Sequence, residues 1–202
     1  MIDYAYFKPK DLGEAFSLLA EHGNKAELIA GGTDVMVVAK LSNRSPEILI
    51  SLRGLDKLRY VQKKNDYHIG ALTTHRMLET SRLVQKELAA LYQGAAQVGS
   101  VQVRNVATIG GNLCNAAPSA DTAGPLFILD AVLVLKSSSQ ERKVPIHDFF
   151  VGPSETVKER DEILTEIIVP GHMGSYGSAY YKHARRKAMN LPIIGVAVGL
   201  SL

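Results

Sequence analysis

The sequence has only one cysteine, Cys114. A single cysteine excludes an intrachain disulfide, and it leaves too few thiolates for a cysteine-ligated zinc ion or iron–sulfur cluster. Any iron–sulfur centre that works with this chain therefore has to be held by a partner. The simplest location for such a chain is a reducing, cytoplasmic compartment.

Long apolar runs and strongly basic segments are also missing. No apolar stretch reaches the length of a membrane span, and residues 1–6 have neither the basic region nor the apolar core of a signal peptide. The formal net charge is only +3, and no basic run is interleaved with stacking aromatic residues. We therefore expect no membrane span and no nucleic-acid partner.

The sequence gives no sign of a metal site or a catalytic nucleophile either. Its six histidines show no metal-ligand spacing. Ser119 lacks the G-x-S-x-G setting of a nucleophilic serine, and Cys114 has no visible histidine partner. With 46% hydrophobic and 21% charged residues, the chain of 202 residues is typical of a globular protein that buries a sizeable core.

Two Gly-Gly pairs stand out, Gly31-Gly32 and Gly110-Gly111. Residues without a Cβ let backbone N–H groups turn toward an anion, and a threonine next to each pair adds a hydroxyl donor. Gly-Gly is also a common turn element, so either pair alone is compatible with an ordinary turn. Two such loops together suit the two phosphates of a dinucleotide. A nicotinamide-type Rossmann site is disfavoured, because its third glycine is missing and Asp56 is only loosely placed as the ribose-binding acid.

The sequence around both pairs resembles a known family. The runs AGGTDV (30–35) and TIGGNLCNAAPSADTAGPLFILDA (108–131) are similar to the two flavin motifs of the FAD-binding medium subunit of molybdenum hydroxylases. Xanthine dehydrogenases and aerobic carbon monoxide dehydrogenases belong to that family, and the resemblance covers essentially the whole chain. It implies that FAD is the cofactor here, whereas molybdopterin and [2Fe–2S] clusters are held only by partner subunits.

Carried over position by position, the resemblance implies a set of FAD contacts and no catalytic side chain, because the flavin carries the chemistry. Asp34 would repel a phosphate, so we expect it to cap a helix or to contact the ribityl or ring end of the flavin. Leu164 is equally explained as a core residue. The implied cofactor-binding residues are Leu28, Ile29, Ala30, Gly31, Gly32, Thr33, Asp34, Val35, Thr108, Ile109, Gly110, Gly111, Asn112, Asp121, Leu164 and Lys182.

The hydrophobic pattern predicts an α+β fold made of short elements. Asp11 is predicted to cap the first helix, and the stretch over 101–105 is predicted to be irregular. Further helices are predicted at 34–41, from 73 or 74, at 83–98 and from 121 or 122 to 129, and strands at 26–30, 47–52, 58–62, 67–72, 131–135, 142–150, 162–169, 178–184 and 193–202.

The resemblance also implies a two-lobed FAD-binding domain of the PCMH-like type with FAD between the lobes. We expect the first lobe at 1–55, the second at 56–172, and the start of a truncated C-terminal lobe at 173–202. The connection at 137–140 is short and has no cysteine. This departs from the benzoyl-CoA reductase-like branch of the family, which carries an iron–sulfur insertion there.

The implied function is electron transfer within a heterotrimer. By resemblance, a large molybdenum-cofactor subunit oxidises the substrate, a small [2Fe–2S] subunit relays the electrons, and this flavin subunit passes them to NAD⁺ or another acceptor. Two other classes stay open at this point. The chain could be a stand-alone flavin oxidoreductase, or a non-catalytic scaffold that has lost its cofactor or its partners.

Overall fold

Short helices and short strands make up the fold of the computed structural model, which describes residues 4–41, 46–171, 176–186 and 188–201. The elements are β1 (Ala5–Phe7), α1 (Leu12–His22), β2 (Ala26–Ile29), α2 (Val35–Leu41), β3 (Ile48–Ser51), β4 (Val61–Lys63), β5 (Tyr67–Gly70), α3 (His75–Thr80), α4 (Arg82–Glu87), α5 (Ala89–Ala96), α6 (Val101–Val106), α7 (Ile109–Asn115), α8 (Ala123–Ile128), β6 (Val132–Lys136), β7 (Glu141–Pro145), β8 (Phe150–Gly152), β9 (Glu155–Thr156), β10 (Ile163–Val169), β11 (Tyr176–His183) and β12 (Ile194–Ser201). The predicted α+β class is confirmed.

The first sheet has three parallel strands in the order β1–β3–β2. Helix α1 begins as predicted, because the Asp11 carboxylate accepts a hydrogen bond from the backbone N–H of Glu14 at 2.9 Å. Its buried face, which includes Phe16, packs into one core cluster with Ile50 of the central strand. The helix ends at Gly23, where φ is +50°. The chain then returns as β2, which leads directly into the first glycine pair.

The second sheet has five antiparallel strands in the order β4–β5–β10–β6–β7. Strand β10 lies at its centre, with Ile167 opposite Ile69 on one side and opposite Leu133 on the other. Helices α3, α4, α5, α7 and α8 contribute to its core cluster, in which Leu91 and Leu113 are fully buried. The hairpin of β11 and β12 is a separate two-stranded sheet.

Two predicted elements are interrupted. The single helix predicted over 83–98 is wrong, because the chain leaves helical geometry at Leu88 and forms α4 and α5 instead. Leu88 is fully buried there, so the apolar spacing continues across the break and hides it. The strand predicted over 142–150 is also wrong, since β7 ends at Pro145 and a 3₁₀ turn, Ile146–Asp148, separates it from β8.

The stretch over 101–105, predicted to be irregular, is helix α6. Ser100 caps this helix by accepting a hydrogen bond from the N–H of Val103 at 3.3 Å. Arg104 is 9% exposed and makes two hydrogen bonds to the Glu79 carboxylate, at 2.9 and 3.2 Å. The polar side chain on this helix is therefore satisfied by a partner distant in sequence, which the local pattern does not indicate.

An ion pair holds the segment before β10 to the edge of the second sheet. Glu162, whose side chain is 1% exposed, accepts hydrogen bonds from Arg142 Nε at 2.6 Å and Arg142 Nη2 at 2.8 Å. The backbone N–H of Glu159 donates a further bond to Glu162, at 2.8 Å. Arg142, and then this N–H, hold the pKa of Glu162 below its ordinary value of 4.5.

Replacing Glu162 with Gln should lower the free energy of unfolding by about 1–3 kcal/mol near neutral pH, because Arg142 loses its charged partner. A lowered pKa in the folded state stabilises the fold above the unfolded-state pKa, and this contribution is lost as the pH falls through the folded-state value. The difference between wild type and E162Q, measured by urea unfolding, should therefore shrink as the pH falls below about 4.5. Glu141→Gln, which removes a half-exposed carboxylate from the same edge strand, should change stability by less than about 0.5 kcal/mol. An E162Q loss that does not vary with pH would contradict the assignment.

Candidate functional site

The first glycine segment, residues 30–34, follows the end of β2. Gly31 lies so close to the connection between α6 and α7 that a Cβ would collide with the carbonyl oxygen of Val106 and lie 2.7 Å from the Cα of Ala107. Gly32 has a φ of +76°, in the left-handed region that favours glycine. Each position therefore requires glycine for its own reason, close approach at one and backbone conformation at the other.

Three backbone N–H groups of this segment lack a protein partner among the described residues. In the described part of the chain, no acceptor is found for the N–H groups of Gly31, Gly32 or Thr33. The Thr33 hydroxyl donates to the exposed Asp34 carboxylate at 3.2 Å. Successive unpaired N–H groups in a turn form a binding place for an anion.

The second glycine segment, residues 108–112, is the start of helix α7 and not an open loop. Thr108 caps the helix, with its hydroxyl oxygen accepting from the N–H of Gly111 at 3.1 Å, and the N–H of Gly110 donates to the carbonyl of Ala71 at 2.9 Å. The prediction that these amides turn toward an anion is wrong, since the protein itself uses them. Glycine is required for close packing, because a Cβ at position 110 would lie 2.7 Å from the Cβ of Ala71.

The two segments meet at one cavity of about 690 Å³. A Cβ placed on Gly111 would be 3.7 Å from the Cβ of Ala30, so the two segments lie so close that one added methyl group would bring them into van der Waals contact. The cavity volume falls within the range of about 300–1,000 Å³ typical of small-molecule sites. The cleft expected between the two glycine pairs is therefore present.

Most of the residues predicted to contact FAD line this cavity. Ile29 and Ile109 are not among its wall residues, and they are 8% and 0% exposed in the protein interior. Lys182 is also absent from the wall, and it borders a smaller cavity of about 300 Å³. A direct contact of these three residues with FAD stays a prediction. The wall residues from the predicted set are Leu28, Ala30, Gly31, Gly32, Thr33, Asp34, Val35, Thr108, Gly110, Gly111, Asn112, Asp121 and Leu164.

Asp121 connects the cavity wall to strand β11. It is 6% exposed, and its two carboxylate oxygens accept hydrogen bonds from the Tyr180 hydroxyl at 2.8 Å and from Lys182 Nζ at 2.7 Å. Lys182 also donates to the carbonyl of Gln97 at 3.1 Å. Burial raises the pKa of Asp121, and the hydrogen bonds from Lys182 and Tyr180 oppose this effect. Lys182 therefore reaches the site through Asp121.

The polar wall residues that were not predicted include His75, Lys158 and Arg160. Lys158 and Arg160 belong to an alternating charged run before β10, a pattern equally typical of a solvated turn. His75 is fully buried at the start of α3, and neither of its ring nitrogens has a partner among the described residues. In the sequence, only their residue types, two cations and a histidine, could have indicated these positions. A residue type alone does not show that a side chain lines a cavity.

The wall chemistry fits a dinucleotide diphosphate. The first segment supplies N–H groups that have no partner among the described residues, and Gly31 has no Cβ where it approaches Val106 most closely. Two cationic side chains, Lys158 and Arg160, border the same cavity. Asn112 accepts a hydrogen bond from the Thr122 hydroxyl through its Oδ1 at 2.6 Å. Its side-chain NH₂ group makes no hydrogen bond to the described residues and is left as a further donor on the opposite wall.

Comparison with known proteins gives the same family from sequence and from structure. The family model described as the FAD binding domain in molybdopterin dehydrogenase matches residues 2–172. The chain is 39% identical to a xanthine dehydrogenase FAD-binding subunit from Escherichia coli over 201 residues, which cover 98% of this chain and 68% of that protein. It is 37% identical to the nicotinate dehydrogenase FAD-subunit of Eubacterium barkeri over 200 residues, which cover 96% of this chain and 68% of that one.

A solved structure of carbon monoxide dehydrogenase from Hydrogenophaga pseudoflava superimposes on this fold with a TM-score of 0.93. The two chains are 34% identical, and the match covers 98% of this chain and 69% of the other. The chain thus spans about two thirds of the length of its relatives. It belongs to the FAD-binding domain family of the molybdopterin dehydrogenases, so its cofactor is FAD and it is an oxidoreductase flavoprotein.

Proposed function

We propose that this chain is the electron-transfer subunit of a molybdenum hydroxylase. It takes electrons from the [2Fe–2S] clusters of a small partner subunit and passes them to NAD⁺ or another acceptor, with a large molybdenum-cofactor subunit as the third member of the complex. The observation that carries the proposal is the cavity between the two glycine segments, with its unpaired N–H groups and two cations. The relatives named FAD subunits support membership in a multi-subunit enzyme.

The proposal assigns the diphosphate to the first glycine segment. Unpaired N–H groups at Gly31, Gly32 and Thr33 face no competing protein acceptor among the described residues, and Lys158 and Arg160 add positive charge at the same cavity. Asp34, whose carboxylate would repel phosphate, is exposed and accepts from Thr33. The first segment thereby supplies most of the binding free energy for the anionic part of the cofactor.

The remaining predicted residues shape the other parts of the site. Thr108 and Asn112 present side chains from the opposite wall, and Leu164 adds an apolar surface. FAD, when bound, supplies the redox chemistry, so the chain needs only to bind it, orient it and limit the access of water. Asp121, held between Tyr180 and Lys182, gives a fixed polar group for the ribityl or ring end.

The domain boundaries are part of the proposal. We assign residues 1–55 to the first FAD lobe, 56–172 to the second and 173–202 to the start of a third. The three-stranded parallel sheet lies within the first range, the five-stranded antiparallel sheet within the second, and the β11–β12 hairpin within the third.

Purified protein, either as isolated or after incubation with FAD, should show the absorbance bands of an oxidised flavin. Extraction should release FAD and not FMN, at about one per chain, because the anion donors and the cavity suit a dinucleotide. Chromatography of the released flavin against both standards measures this. Folded protein that takes up no flavin at all would overturn the proposed function.

Gly111→Val should abolish flavin retention. A Cβ at this position would lie 2.9 Å from the capping oxygen of Thr108 and point toward Ala30 of the first segment, so a valine narrows the place where the two segments meet. The fold should survive with a loss of about 1 kcal/mol from the weakened cap, which thermal unfolding measures. Gly177→Val is the matched control, because a Cβ there meets nothing within 4 Å. Yellow G111V protein with a full flavin content would contradict the placement.

Affinity purification of the tagged chain from its native cells tests the partners. We expect two further chains, one with the electron paramagnetic resonance signals of [2Fe–2S] clusters and one that contains molybdenum. A flavin-loaded chain that purifies alone would instead support a stand-alone flavin oxidoreductase, and a flavin-free chain without these partners would support a scaffold.

No helix in the described ranges is long and apolar enough to cross a membrane, and the cytoplasmic location stays a prediction.

A further inference from the structure

His75 combines three properties that rarely occur together. It is fully buried, it lines the cavity, and both of its ring nitrogens lack a hydrogen-bond partner among the described residues. Its backbone N–H donates to the carbonyl of Ala107 at 3.0 Å, and Ala107 is also the residue against which Gly31 packs. The backbone of His75 is therefore hydrogen-bonded to the residue against which the first glycine segment packs.

Such an arrangement is costly unless something completes it. The large majority of buried side-chain polar atoms in folded proteins have a hydrogen-bond partner, and leaving one unpaired costs about 1–3 kcal/mol. The other buried side-chain atoms without a described partner are Ser51 Oγ and His22 Nε2, and neither residue lines the cavity. Among the described residues, His75 is the only one at which an unsatisfied buried side-chain group belongs to a residue that borders the cavity.

The ring is neutral near neutral pH. Burial, together with the positive charge of Arg104, lowers the pKa of His75 to about 4. A neutral imidazole has one N–H donor and one acceptor nitrogen. It can therefore donate to a phosphate or ribose oxygen and accept from a hydroxyl without bringing a second charge into the interior.

We infer that His75 is a further cofactor-binding residue, whose ring hydrogen-bonds the part of FAD that lies between the two glycine segments. The inference rests on the proposed function, in which FAD occupies this cavity. It adds a side chain from α3 to a site whose predicted contacts come from residues 28–35, from residues 108–112 and from three later positions. When FAD binds, it supplies the hydrogen-bond partners that the ring nitrogens of His75 lack among the described residues.

The test compares FAD affinity with fold stability in the full chain. His75→Leu keeps a similar volume but removes both ring nitrogens, so the flavin-free variant should melt at the wild-type temperature or above it. Its dissociation constant for FAD, measured by quenching of flavin fluorescence, should rise about five- to tenfold, as expected for one lost hydrogen bond. His75→Gln, which keeps a donor and an acceptor, should recover part of the affinity.

Ser51→Ala is the matched control, because it removes a buried atom without a described partner that is not on the cavity wall. Its FAD affinity should equal that of wild type.

Histidine side-chain nitrogen NMR of the wild-type chain gives an independent readout, since FAD should shift the resonances of the His75 ring nitrogens and fix one tautomer. This readout decides the question even if H75L does not fold.

An H75L protein that binds FAD as tightly as wild type would overturn the inference and leave the proposed function intact. A lowered melting temperature with unchanged FAD affinity would also overturn it, because the ring would then serve the fold through an internal water. Unchanged ring-nitrogen resonances on addition of FAD would have the same meaning. A wild-type chain that binds no FAD would overturn the proposed function itself, so the two failures are distinguishable.

Discussion

The close packing of Gly31 against the connection between α6 and α7 is the contact on which the rest of the site depends. The first segment belongs to a parallel sheet and the second to a helix that covers an antiparallel sheet, so two differently built halves must meet. They meet at backbone distance only because no side chain intervenes. Even one methyl group at position 31 would collide with the opposite backbone. The shape of the cavity therefore depends on the absence of a side chain at this position.

The two glycine pairs look alike in sequence, but they have different structural roles. The N–H groups of the first pair have no acceptor in the described part of the chain, whereas Gly110 donates to Ala71 and Gly111 donates to the cap of its own helix. The second pair therefore contributes close packing, and the first leaves backbone donors that an anion could use. Two cationic side chains that border the same cavity belong to the segment before β10, which is held in place by the Arg142–Glu162 pair.

A buried polar network closes the site on the side of the hairpin. Asp121 uses both carboxylate oxygens on Tyr180 and Lys182, and the amide of Gln93 accepts from the backbone N–H of Tyr180 at 2.7 Å. With its oxygens engaged in this way, the carboxylate is held in one orientation. Strand β11 is thereby tied to a residue of the cavity wall, although it is distant from both glycine segments in sequence.

Local patterns in the sequence determined a large part of the result. The glycine pairs, the cap at Asp11 and the apolar runs of the central strands depend on neighbouring residues, and the two flavin motifs were sufficient to indicate the family. The same patterns failed at Leu88, where burial continues through a break in the helix, and at α6, where Arg104 finds its partner Glu79 across the fold.

Only the tertiary structure decided which groups are free to bind. The pairing of an amide or an imidazole depends on groups that approach from other elements. No local pattern therefore shows that the Gly31 N–H and the buried His75 ring find no partner among the residues that the structure describes, whereas the Gly110 N–H does. The sequence by itself determined the cofactor and the family. The fold decided which atoms meet the cofactor, because burial and hydrogen bonding are properties of contacts between distant parts of the chain.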